Sequence, residues 1–244
     1  MASTKTVIAF DLYGTLLSTE SIAGELAKLF GDDKAKTLAA SWRRYQLEYT
    51  WRINSMGIYR TFSEITQGAL HHAVEELGLS VSSDDEKRLM DAYAKLHVFP
   101  EVPAALDLVR ARPDVDALIF SNGNEGMVTS SVDGSPDLTR FADVFKGLVS
   151  VDPVQVFKPD LKTYHHLLEH VGKTDAPGEV WLVTANPFDV VGATVAGVQA
   201  AWIDRAGTGW VDRLGAVIGG ASERPALVVS GVDEAVRGIL SRGT

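Results

Sequence analysis

The sequence contains no cysteine. That absence excludes disulfides, thiolate nucleophiles and zinc held by thiolates, and it leaves the redox compartment open. Positive charge is also short: 23 lysines and arginines stand against 32 aspartates and glutamates, a formal net charge of -9. Binding nucleic-acid phosphates needs a basic surface, so no nucleic-acid partner is expected. No run is long and apolar enough to span a membrane, and no membrane partner is expected. The opening residues Met1-Ala2-Ser3-Thr4-Lys5 lack the apolar region of a secretory signal. A cytoplasmic protein is the expectation. There are no repeats and no low-complexity segment. What is present is an ordinary globular composition, 45% hydrophobic and 23% charged over 244 residues. That length suits one large domain or two smaller ones.

The run Thr6-Val7-Ile8-Ala9-Phe10 is apolar, β-branched and aromatic, and it predicts a buried strand. It ends on Asp11, after which Gly14 and Thr15 turn the chain. Ligands of open α/β sheets bind at the carboxyl ends of strands, which makes Asp11 a candidate nucleophile or metal ligand. Aspartate also caps turns, so on this stretch alone the two readings stand level.

After Leu17 the pattern is helical for about eighty residues. Ser18 or Ser21 caps a first helix reaching Phe30, and Asp32-Asp33 opens a long one. In that helix Leu38, Trp42, Tyr45 and Tyr49 form an apolar stripe, while Arg43 and Leu47, four apart, share a neighbouring face. Further helices are expected over Phe62 to Leu77 and Asp84 to Leu96. From Pro100 strands and helices alternate. Strands are expected at Val115-Phe120, Leu148-Val151, Val180-Val183, Gln199-Ile203 and Ala226-Val229. Helices are expected at Pro103-Arg112, after Gly123, at Leu161-Val171, after Asp189 and at Val232-Leu240. Alternation of this kind implies an α/β fold: a Rossmann-like core domain with a mostly parallel sheet covered on both faces. The core is discontinuous, residues 1–17 and 100–244, with residues 18–99 inserted after the first strand as an all-helical cap.

The polar groups at the strand ends form a set: Asp11, Ser121-Asn122, Lys158 and Asn186 with Asp189. Each has an ordinary explanation taken singly. Ser121-Asn122-Gly123 has turn composition, Lys158-Pro159 fits a helix start with proline in its first position, and Asp189 fits a helix N-terminal charge. In this order and at these strand ends they point together to a site.

The ordered motifs Asp11-Leu-Tyr-Gly-Thr15, Ser121-Asn122-Gly123, Lys158-Pro159-Asp160 and Asn186-Pro-Phe-Asp189 resemble those of the haloacid dehalogenase superfamily. The segment Trp42-Arg43-Arg44-Tyr45-Gln46-Leu47-Glu48-Tyr49-Thr50-Trp51 is similar to the cap of the L-2-haloacid dehalogenases. That resemblance implies hydrolysis of short L-2-haloacids to 2-hydroxy acids through an aspartyl ester, with inversion at C2 and neither metal nor cofactor. It implies Asp11 as nucleophile, Thr15 aiming it and Lys158 keeping it ionised. Arg43 and Asn122 cradle the halide, and Ser121 with nearby backbone N–H groups holds the substrate carboxylate. Asn186 and Asp189 position water, supported by Tyr164 and Thr184, and Tyr13, Leu47, Phe62 and Phe188 form an apolar wall. The implied partners are a small 2-haloacid, halide and a second copy of the chain bound through the cap.

The chemistry agrees with the residues. Superfamily phosphatases carry an acid two positions after the nucleophile, where this chain has Tyr13, whose ordinary pKa of about 10 makes it a poor proton donor. Magnesium wants several carboxylates, and Asp189 alone is acidic in the last motif. Two alternatives stay open: a phosphatase or phosphonate hydrolase of the superfamily, and a catalytically silent member. Thr184-Ala185 replaces the two serines of many relatives, Phe188 a common tryptophan and Arg44 a common glutamine. His165, His166 and His170, and likewise His71-His72, read as surface residues.

Overall fold

The computed structural model describes residues 5–219 and 224–242. Residues 1–4, most of the stretch read above for a secretory signal, lie outside them. Strand β1 (Thr6–Phe10) is followed by a 3-10 turn, Thr19–Ile22, and helices α1 (Ala23–Phe30), α2 (Asp32–Ser55), α3 (Phe62–Glu76) and α4 (Ser83–Tyr93). Then come α5 (Val102–Arg110), β2 (Val115–Ser121), α6 (Glu125–Gly134), β3 (Phe145–Ser150), α7 (Leu161–His170) and β4 (Val180–Thr184). The chain finishes with α8 (Pro187–Val195), β5 (Gln199–Ile203), α9 (Leu214–Ile218), β6 (Leu227–Val229) and α10 (Val232–Leu240).

The six strands form one parallel sheet in the order β3-β2-β1-β4-β5-β6. Strands β1 and β4 read as unbroken apolar runs because both of their faces are covered; every residue of β4 is buried. The strand order reverses at β1: β2 and β3 lie to one side and β4, β5 and β6 to the other. The crevice beyond the carboxyl end of β1 is therefore the topological switch point of the sheet. Asp11 stands there, tied in by its N–H donating to Val183 O at 3.0 Å.

The helices between β1 and β2 pack as the stripe in α2 requires. Leu38, Trp42 and Tyr45 are buried, and the Trp42 indole N–H donates to Thr66 O of α3 at 2.8 Å. A reciprocal capping box between Thr61 and Glu64 starts α3. The chain leaves and re-enters the sheet domain side by side: Leu17 and Val98 form an antiparallel bridge, with Ser18 N–H on His97 O at 2.8 Å and Phe99 N–H on Leu16 O at 3.1 Å.

Some local expectations need correction. Neither Ser18 nor Ser21 caps α1: a 3-10 turn comes first, Ser18 makes no side-chain cap bond, and Ser21 Oγ donates to Ser18 O instead. Helix α4 stops at Tyr93, short of Leu96. Pro159 does not begin α7; its peptide bond with Lys158 is cis, and the Asp160 side chain caps the helix by accepting from Lys162 N–H. The short helix α9 lies inside what reads as a Gly/Trp loop.

Candidate active site

The turn after β1 fixes Asp11. Gly14 adopts φ +87°, a conformation side chains with a Cβ rarely take, and its N–H closes onto Leu17 O at 2.7 Å. The Thr15 hydroxyl thereby comes back to Asp11 Oδ2 at 2.7 Å and accepts from Ala185 N–H at 2.9 Å. Asn186 Nδ2 donates to the same Oδ2 at 2.7 Å, and Thr184 Oγ1 lies at 3.5 Å from it. Oδ1 is different: among the described residues its one side-chain hydrogen-bond partner is Lys158 Nζ, at 3.4 Å. One carboxylate oxygen is clamped by three donors, and the other faces a single cation.

Lys158 is 1% exposed. Its ammonium lies 3.0 Å from Asp189 Oδ2, 2.8 Å from Phe120 O and 3.9 Å from the centre of the Phe120 ring. An ion buried this deeply is tolerable only when all its hydrogens are used, and these contacts use them. Asp189 is fully buried and accepts from the Tyr164 hydroxyl at 2.7 Å. Burial pushes the Asp189 carboxyl up, and the adjacent Lys158 ammonium opposes that rise. Burial likewise pushes the Tyr164 phenol well up, so it stays a donor. Between Asp11 and Asp189, where a cation would sit, stands the Lys158 ammonium. Among the described residues no group of three or more His, Asp or Glu has the arrangement of a metal site. The donor set does not fit a magnesium ion.

A small, tightly lined cavity opens above Asp11. Lys158 and Asn186 share its floor with Asp11. Arg43 and Asn122 supply donors, and Tyr13, Leu47, Phe62 and Phe188 make the apolar wall. Asn122 Oδ1 is used by Lys158 N–H at 2.9 Å, which leaves its Nδ2 as the donor available to the cavity. The Arg43 guanidinium donates to Tyr13 O at 2.9 Å. Tyr13 presents its ring, with its hydroxyl bonded to Ser131 Oγ at 2.9 Å on the far side. Burial pushes the Tyr13 phenol far above its ordinary value.

The sequence-predicted residues thus converge, with one displacement. Ser121 is fully buried and does not line the cavity; its Oγ accepts from Gly123 N–H at 3.1 Å and so shapes the turn that carries Asn122. Thr15, Tyr164, Thr184 and Asp189 stand behind the cavity lining. Three contributors were missed. Ser131 holds Tyr13, and Gln46 holds Arg43 at 2.6 Å. Arg205 donates to Gly14 O at 3.3 Å and Thr15 O at 2.8 Å, pairs with Glu101 at 2.6 Å, and lies 3.5 Å over the Phe99 ring. Arg205 carries the signal that marked the others, a charge just past a strand end; Gln46 lies three residues after Arg43 on one helix face. His165 and His170 are exposed and His166 half-buried, away from the site.

Comparison with known proteins agrees with this geometry. The model of the haloacid dehalogenase-like hydrolases matches residues 5–197. The (S)-2-haloacid dehalogenase of Pseudomonas sp. (strain YL) is 36% identical over 200 residues, 82% of this chain and 83% of that protein. The haloacetate dehalogenase H-2 of Moraxella sp. (strain B) is 35% identical over 208 residues, 85% and 89% of the two chains. The L-2-haloacid dehalogenase of Xanthobacter autotrophicus, solved with chloropropionic acid covalently bound, superposes with a TM-score of 0.82 at 28% identity, covering 98% of this chain and 99% of that one. A parallel sheet with a helical cap, an aspartate at the switch point and these matches place the chain in one family: it belongs to the haloacid dehalogenase-like hydrolases, and among them to the L-2-haloacid dehalogenases.

Proposed function

We propose that this chain hydrolyses short L-2-haloacids to 2-hydroxy acids, with Asp11 as nucleophile. The observation that carries this is the asymmetry of the Asp11 carboxylate at the cavity: Oδ2 is held by Thr15, Asn186 and Thr184, while Oδ1 has a single partner, Lys158, among the described residues. Oδ1 attacks C2 of the haloacid from the side opposite the halogen. The C–O bond forms as the carbon–halogen bond breaks, the halide takes the bonding pair, and the carbon inverts. The departing anion meets the Arg43 guanidinium and Asn122 Nδ2. Water then adds to the carboxyl carbon of the aspartyl ester, Asn186 and Asp189 orienting it and Asp189 receiving its proton. Collapse breaks the ester C–O bond; the departing alkoxide takes the proton from Asp189 and leaves as the 2-hydroxy acid, and the re-formed Asp11 carboxyl gives its proton to solvent. Tyr164 and Lys158 hold Asp189, and the wall of Tyr13, Leu47, Phe62 and Phe188 keeps other water out. The relative from Xanthobacter autotrophicus that holds chloropropionic acid covalently supports the ester step.

The same reading divides the chain into a core, residues 1–17 and 100–244, and a cap, residues 18–99. The paired connectors at Leu17 and Val98 support that division. It also includes a homodimer formed through the cap, where Trp51, Met56 and Ile58 are exposed. A phosphatase reading lacks its acid: Tyr13 is buried and its phenol is pushed up, away from proton donation.

The test is halide release from L- and D-2-chloropropionate, with and without EDTA. Release from the L isomer, unaffected by EDTA and lost in Asp11→Asn, is expected. Magnesium-dependent release of phosphate from aryl phosphates with no halide would overturn the proposal.

A further inference from the structure

Arg43 is the cation that the proposed reaction presents to the leaving halide, and its hydrogen-bond acceptors are uncharged. Its Nη2 donates to a backbone carbonyl, Tyr13 O, and its Nη1 to the Gln46 amide oxygen at 2.6 Å. Among the described residues no ion pair includes it. Gln46 is fully buried, and its partners leave it one orientation. Its Nε2 donates to Thr66 Oγ1 at 2.7 Å, and that hydroxyl has already given its own hydrogen to Phe62 O at 2.7 Å. The Gln46 oxygen must therefore face the other way, where it accepts from Arg43 and, at 3.1 Å, from the Tyr93 hydroxyl. A neutral acceptor here orients the guanidinium without neutralising it. A glutamate of the same shape would reach the same nitrogen but bring a charge that competes with the halide.

We infer that Gln46 is a positioning residue for the reaction: it aims Arg43 at the leaving halide and, by being an amide, keeps that arginine's charge for the anion. This rests on the dehalogenase reading. The groups facing the pair are Tyr93 from α4, Tyr13 and Asp11 from the turn after β1, and, at the outer rim of Arg43, Glu20 and Lys36.

The test measures bromide binding by calorimetry and turnover of L-2-chloropropionate in wild type, Gln46→Glu and Gln46→Leu, with a melting curve for each. Competition from the new carboxylate predicts a fall of about tenfold to a hundredfold in bromide affinity and in kcat/KM for Gln46→Glu, with a lower melting temperature because a carboxylate cannot donate to Thr66 Oγ1. Gln46→Leu, which removes the acceptor and adds no charge, should lose kcat/KM and keep more bromide affinity than Gln46→Glu. A purely packing role would move melting and leave bromide affinity alone. Folded Gln46→Glu binding bromide and turning over within twofold of wild type overturns the inference, as does the same result for Gln46→Leu should the glutamate variant not fold. Wild type that neither binds bromide nor releases halide overturns the dehalogenase reading, and this inference with it.

Discussion

Thr15 has no exposed surface, and its hydroxyl makes two bonds that a methyl group cannot: it donates to Asp11 Oδ2 and accepts from Ala185 N–H. Thr15→Val keeps the volume and removes both. The Ala185 N–H is then left without its acceptor, so stability should drop by about 1–3 kcal/mol in urea unfolding. The nucleophile also loses one of the donors that fix Oδ2, and misaiming of this kind predicts a fall in kcat on the order of 10²-fold. Thr15→Ser retains the oxygen and should recover most of both losses. Equal kcat for the valine and serine variants would show that the hydroxyl does not aim Asp11.

Helices α7 and α8 meet where a glycine lets a tyrosine through. A Cβ on Gly192 would lie 2.4 Å from the Tyr164 hydroxyl and 2.6 Å from its ring. That ring is fully buried and bonded to Asp189, so it has nowhere to go. Gly192→Ala should cost about 1–3 kcal/mol by overpacking. Because the hydroxyl is the nearest atom, Gly192→Ala with Tyr164→Phe should cost less than the sum of the two single changes, as read from thermal unfolding of all four proteins. Strict additivity would mean that the helices part elsewhere. Features of this kind explain what the sequence does and does not disclose. A polar or charged residue following an apolar run is a local signal, which is why Asp11, Asn122, Lys158 and Asp189 could be read before any fold was known. Partners far along the chain leave no such mark: Tyr93 is 47 residues from Gln46, and Arg205 is 190 from Thr15. Ser121 adds a second role that the sequence does not disclose: its oxygen accepts from Gly123 N–H and shapes the turn two residues on. Helix α9 spans five residues, too few for a helical period to show.

Core and cap are joined through aromatic rings. Tyr13, on the turn that carries the nucleophile, packs 5.8 Å from Phe62 of α3 and 5.8 Å from Tyr93 of α4, and Tyr93 lies 5.0 Å from Trp42 of α2. Tyr13, Tyr93 and Tyr164 are buried, and burial is the leading cause that raises each phenol above its ordinary value. The sign follows from linkage. A folded-state pKa above the unfolded one means the folded protein keeps a proton that the unfolded chain gives up. The stabilisation is whole below the unfolded value of about 10 and is lost as pH rises above it. Alkali should therefore unfold the protein through these rings. Of the six tyrosines, Tyr13, Tyr93 and Tyr164 should stay protonated while the helical signal lasts, and their phenolate absorbance should appear in one step together with the loss of helix. A smooth, reversible titration of all six at the ordinary midpoint, with helicity intact, would mean that the rings between cap and core admit hydroxide and that the joint opens without unfolding.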